Sequence, residues 1–225
     1  MKVQCSFQLK QLLILPLFIL AFSNIVHGQF YVGGGVNLIK GFTVKKPYLG
    51  INLFAEKIEE DQSLYANLSA SLKQNEMDEY FPINSSLGFA DSVVIGNLSY
   101  RYNTLELGKR NYYYSNDLDF GLAVYLAEHI TVSYNTVAVN LSSYNTANYH
   151  FPSTIPKKGN ILCFALGANA GLQYAFVRGI VFGDLGFNYN LIAMPNNLTS
   201  QNSNSYSAVN FTFQLGVKKI LSFSY

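Results

Sequence analysis

Two histidines, one serine and a handful of charges are the residues through which this chain could do chemistry. His129 and His150, with Ser153 close behind in His150-Phe151-Pro152-Ser153, are the types that nucleophilic hydrolysis uses, a base beside a hydroxyl. Such a site also needs a convergent acid, and nothing in the spacing supplies one, so the chain reads as non-catalytic. Metal chemistry fares no better. His27 falls in an N-terminal leader, Cys163 is the one cysteine outside it, and no ligand cluster or disulfide framework can be assembled by spacing. No cofactor is expected. Gly33-Gly34-Gly35 lacks the following helix that a phosphate-binding loop requires and reads instead as close-packed strand. The remaining candidates are Glu56, Glu106, Arg110, Asp119, Asp184 and Lys218, and what they do depends on the elements that carry them.

Composition narrows those elements. Of 225 residues 49% are hydrophobic and only 12% charged, where an ordinary soluble domain carries roughly 25% charge. Gly, Tyr and Phe number 17 each and Trp is absent, a mixture suited to many short strands joined by tight turns. A chain this apolar, without a basic arm, is neither a disordered tail nor a nucleic-acid binder. Lys2 and Lys10 precede an apolar run from Leu12 to Phe22 that gives way to Ser23, Asn24 and Val26-His27-Gly28. The run is about half the roughly 20 residues of a spanning helix, so residues 1–28 are expected to form a cleavable signal peptide, and residues 29–225 a single domain. With Lys2 and Lys10 gone, the domain is formally neutral.

That domain is a series of two-faced strands. From Leu162 to Phe176 every second residue is apolar, and the interleaved set is Cys163, Ala165, Gly167, Asn169, Gly171, Gln173 and Ala175. This is the period of two that a strand imposes. The pattern recurs over 49–56, 64–73, 118–127, 181–191 and 209–218, and more weakly over 30–39 and 98–114, which makes eight strands. Short turns at 59–62, 115–117 and 177–179 alternate with long polar connections at 74–97, 135–159 and 194–205. Alternation of this kind describes an antiparallel up-and-down meander. A ten-strand variant would follow if Ile130 to Asn140 formed its own hairpin arm.

Which face points outward decides the class. A soluble barrel would turn its apolar face inward and coat the outside with Lys and Glu. Here the face opposite the apolar one is mostly Gly, Ala, Ser and Asn, sizes that fill the interior of a narrow eight-stranded barrel. The apolar face is therefore expected to meet lipid, where a sheet can span only if it closes on itself. Ten residues from Phe164 to Tyr174, at about 3.3 Å each on a strand tilted by about 40°, rise roughly 25 Å, the height of the apolar band of such barrels. By parity Glu56, Glu106, Arg110, Asp119, Asp184 and Lys218 face the lumen. A charge there needs a partner, so we expect an ion-paired plug in which Arg110 bridges Glu106 or Asp119. Lys109 and Lys219 have the opposite parity and would snorkel to headgroups.

Phe164-Ala165-Leu166-Gly167 through Tyr174, then Phe187-Asn188-Tyr189-Asn190, then Phe213-Gln214-Leu215-Gly216-Val217, together with the leader, resemble the OmpA-like and OmpX-like small outer-membrane barrels of Gram-negative bacteria. The resemblance covers essentially the whole domain. It implies an all-β, eight-stranded antiparallel up-and-down transmembrane β-barrel in the outer membrane, surrounded by outer-membrane lipid. The alternate residues Leu221, Phe223 and Tyr225 are similar to the terminal signal read by the barrel assembly machinery in that family. The expected role is structural, or surface binding of a ligand or partner through the long outward loops. The first of these loops carries Glu76, Asp78, Glu79 and Asp91. A narrow diffusion pore and an accessory subunit of an envelope complex are the alternatives.

Overall fold

The computed structural model describes residues 29–41, 46–90, 92–113, 120–151, 158–196 and 207–221. The leader, Asp91, Asp119, Ser153, Phe223 and Tyr225 lie outside the described residues, as does the turn expected at 115–117. The described elements are β1 (Gln29–Gly41), β2 (Tyr48–Glu59), β3 (Gln62–Ser71), β4 (Gln74–Tyr80), β5 (Ile83–Asn84), β6 (Val94–Tyr113), β7 (Gly121–Leu141), β8 (Tyr149–His150), β9 (Lys158–Phe176), β10 (Gly179–Asn196) and β11 (Val209–Ile220). No helix occurs among the described residues.

Eight of these strands close into a ring in the order β1, β2, β3, β6, β7, β9, β10, β11, and every neighbouring pair is antiparallel. The ring closes where β1 meets β11, from Tyr31 opposite Ile220 to Gly41 opposite Asn210. At that seam a side chain on Gly35 would collide with the Leu215 carbonyl, and one on Gly33 with that of Val217. The glycine run is thus a close-packed strand. At the β2–β3 hairpin Glu60 takes a positive φ of 54°, the left-handed turn that lets two residues reverse the chain.

The two faces separate as their period of two requires. Leu53, Ile51 and Leu185 stand 61%, 62% and 64% exposed on the outer wall, while Glu56, Arg110, Asp184 and Lys218 are buried inside. An apolar exterior around a polar interior is stable only in hydrocarbon, and closure leaves no unpaired sheet edge in the band.

Two expectations are corrected. Ile130 to Asn140 forms no separate arm, because β7 runs unbroken to Leu141 and pairs with β6 and β9 along its length. The segments 74–97 and 135–159 are not loops throughout. Gln74–Tyr80 is strand β4, which pairs with β6 beyond the end of β3, and the upper parts of β6 and β7 continue the ladder to Gly96 opposite Leu141. In this extension the outer positions of β6 become Asn97, Ser99 and Arg101. The polarity that suggested a loop marks a sheet leaving lipid for water. Above it Ile83 pairs with His150 and Asn84 with Tyr149, joining β5 to β8.

Candidate functional site

The lumen holds two linked polar clusters. The lower one centres on Arg110 of β6. Its Nη1 lies 3.6 Å from Glu56 Oε1 of β2, and its Nη2 lies 3.4 Å from Asp184 Oδ2 of β10. The guanidinium also sits against the rings of Phe54 and Tyr65 at 4.5 Å from each centroid, and of Tyr125 at 4.4 Å. A delocalised cation suits this cage, because its faces take aromatic rings while its edge reaches carboxylates. Glu56 is further held by the Lys218 ammonium, by the Ser63 hydroxyl and by the Tyr112 hydroxyl, which donates to it at 2.6 Å. Tyr125 donates to Asp184 at 2.9 Å.

The upper cluster centres on Glu106, four residues before Arg110 on the same strand. Tyr65 donates to its carboxylate at 2.7 Å and Asn169 at 3.4 Å, and His129 Nδ1 lies 3.6 Å away. On the other edge of that imidazole, Nε2 donates to Asn188 Oδ1 at 2.7 Å, and the Thr131 hydroxyl donates to the same oxygen at 3.1 Å. Beside this cluster, Gln214 Oε1 accepts from Asn52 at 2.9 Å and from Asn67, the ladder partner of Glu106, at 3.0 Å.

Of the six charges named from parity, Glu56, Arg110, Asp184 and Lys218 meet in one cluster, and Glu106 joins through Tyr65. Arg110 bridges Glu56 and Asp184 rather than Glu106, which corrects the expected pairing. Four residues along a strand are about 13 Å apart, with the inward position of Gly108 between, too far for Glu106 and Arg110 to pair directly. The other expected bridge, to Asp119, falls outside the described residues, and of the terminal residues only Leu221 is described, its amide donating to the Phe30 carbonyl at 2.7 Å.

His129 and His150 do not share a site. The first is buried mid-strand in the lumen, not at the top of its strand, because β7 continues for twelve residues beyond it. The second is exposed in β8, with Nδ1 3.1 Å from Ser85 Oγ. Sequence reasoning passed over Tyr65, Tyr112, Tyr125, Phe54 and Phe182 as site residues. Each lies on the less apolar face of its strand, Phe54 with Glu56, Tyr65 with Asn67, Tyr112 with Arg110, Tyr125 with His129 and Phe182 with Asp184, which was the available signal.

Above the band, Tyr80, Val94, Leu98, Tyr100, Val137 and Val139 form an apolar cluster inside the extension, with Tyr144 and Phe151 packed on it. Burial raises the phenols of Tyr80 and Tyr100 above their ordinary range, and nearby carboxylates add to this, Asp78 at the first and Glu76 at the second. Among the described residues no group of three His, Cys, Asp or Glu converges as a metal site would.

Neither a family model nor a curated relative matches this chain. Solved structures do. A major outer membrane protein from Thermus thermophilus superposes with a TM-score of 0.53 at 12% identity, over 86% of this chain and 99% of that one. Neisserial surface protein A superposes with a TM-score of 0.50 at 12% identity, over 87% of this chain and all of that one. The chain has the fold of the small outer-membrane β-barrels. At these identities the likeness is one of fold, and it agrees with the architecture that the resemblance to OmpA-like and OmpX-like proteins implied. The outer-membrane-type barrel is thus complete in eight strands, and β4, β5, β8 and the tops of β6 and β7 are additions above it.

Proposed function

We propose that this protein is a sealed barrel of the bacterial outer membrane that presents a rigid extracellular sheet for binding a surface ligand or partner, and that it is not an enzyme. The observation that carries this reading is the sheet of β4, β6 and β7 together with the connection from β4 to β6, which hold exposed apolar side chains in the water-facing region. Met77 is 74% exposed there, and Phe81, Leu87, Phe89, Val93 and Ile95 are exposed along the same segment. Exposed apolar clusters on an ordered scaffold mark interaction surfaces. Glu79 shares the exposed face of β4 with Met77 and favours a partner with basic and apolar character, while Glu76 and Asp78 lie on the opposite face with Tyr80.

The lumen supports the sealed state. Arg110, with its ring cage and two carboxylates, fills the cross-section where an ion would pass. Export by a leader cleaved after Gly28 would start the mature chain at Gln29, the first residue of β1. Recognition of Leu221, Phe223 and Tyr225 by the barrel assembly machinery belongs to the same proposal.

The test compares the wild type with a variant carrying Met77→Ser, Phe81→Ser and Phe89→Ser. A partner recovered with the wild type from detergent-solubilised membranes or from the cell exterior should be lost from the variant while the barrel stays folded. Retention of every captured partner by the variant overturns the surface-binding reading. A steady, large conductance of the pure wild type in planar bilayers overturns the sealed barrel and favours the narrow pore.

A further inference from the structure

Two opposite charges stand on the lipid-facing wall. Lys109 of β6 and Glu128 of β7 are directly opposed in the antiparallel ladder, and both point outward. Glu128 is exposed. Along β7 it lies midway between Leu122 and Tyr134, six residues from each, with exposed Leu126 below and Ile130 above. Six residues of tilted strand rise about 15 Å, so Glu128 is near mid-height in a band of about 25 Å. Other outward cations, Lys40 of β1 and Lys219 of β11, stand next to the ends of their strands, where water and headgroups reach them. Among the described residues, neither the Lys109 nor the Glu128 side chain makes a hydrogen bond or an ion pair. On the far side of Glu128 the ladder neighbour is Ala168, and Ala170 lies opposite Leu126, so the wall beside the carboxylate is shallow.

Lys109, four residues from the end of β6, has a stem long enough to snorkel, but the short side chain of Glu128 cannot, and a carboxylate facing hydrocarbon is costly and persists where something other than lipid covers it. A second copy of this chain supplies the required complement. A two-fold axis along the membrane normal, passing between Lys109 and Glu128, brings Lys109 of each copy opposite Glu128 of the other. This is the reciprocal contact of an isologous interface. We propose that the barrel self-associates in the membrane through the β6–β7 wall, with Lys109 and Glu128 forming two symmetry-related ion pairs between copies and Leu126, Ile130 and Ala168 packing around them.

The test uses the full-length barrel in phosphatidylcholine vesicles, labelled with donor or acceptor dye through Ser86→Cys, with energy transfer followed on dilution in lipid. Wild-type copies should associate. Lys109→Glu and Glu128→Lys, each alone, should weaken self-association at least tenfold, because like charges then face each other. Mixing the two single variants should restore association, since each now carries the complement of the other. That mixture separates pairing between copies from a pair closed within one barrel, which mixing cannot repair. If a reversal fails to fold, Lys109→Gln and Glu128→Gln replace it and should each reduce association. Transfer no greater than random for the wild type, insensitivity to the substitutions, or failure of the mixture to associate would overturn the proposal.

Discussion

Arg110 of β6 and Asp184 of β10 meet across the barrel lumen, Nη2 to Oδ2 3.4 Å, although 74 residues separate them in the chain. The guanidinium thereby ties together strands that are not neighbours in the ring. Removing one member of a buried ionic group leaves the others uncompensated, at a cost of about 3–5 kcal/mol. Arg110→Met should lower the unfolding free energy of the vesicle-folded barrel by that amount in a urea titration. Arg110→Lys keeps the charge but loses the planar contact with Phe54, Tyr65 and Tyr125, so its loss should be smaller but measurable.

The outer wall provides a test of its solvent. Leu185 points away from the lumen and is 64% exposed. In water an exposed Leu→Arg substitution is nearly neutral, whereas an arginine at the bilayer midplane costs about 2–4 kcal/mol. Leu185→Arg should therefore destabilise the barrel in vesicles by that margin. A neutral result by equilibrium unfolding would show that the wall does not face hydrocarbon.

Inside, space is limiting. A side chain at Gly171 of β9 would overlap the ring of Tyr125, whose hydroxyl holds Asp184. Gly171→Val should cost about 1–3 kcal/mol through overpacking. The fluorescence or ring resonances of Tyr125 should report its displacement, and the Tyr125→Phe background should lessen the effect of losing the hydrogen bond.

The extension should respond to alkali before the membrane band does. The folded-state phenols of Tyr80 and Tyr100 are raised above the ordinary value of 10.0, chiefly by burial. A raised acid favours folding with its proton on, so this stabilisation is complete below about pH 10 and fades as the pH climbs through that value toward the folded one. Phenolate absorbance should show these two tyrosines titrating late. Protease cleavage within 74–97 should rise steeply above pH 10, and Tyr100→Phe should blunt that rise.

How much of this was legible depends on range. The face of each residue on a strand follows from its neighbours alone, so the inward placement of Glu56, Arg110, Asp184 and Lys218 could be read from parity. The choice of partner could not, since Arg110 finds Glu56 and Asp184 on strands brought near it by the register of a closed sheet, while Glu106 on its own strand stays too far away. The extension was hidden for a different reason. Between Gln74 and Asn97 water wets the outer face, the contrast between faces weakens, and a paired strand acquires the composition of a loop.

The sequence by itself therefore determined the eight strands of the ring, the greasy outer face and the entry of Glu56, Glu106, Arg110, Asp184 and Lys218 into the lumen, because alternation is a local property of the chain. Tertiary structure alone decided which of those charges touch, that β4 and the tops of β6 and β7 rise as one sheet, and that Lys109 and Glu128 share a rung on the outer wall. Those relations come from ring closure, in which each strand's neighbours across the barrel are set by the register of all eight together.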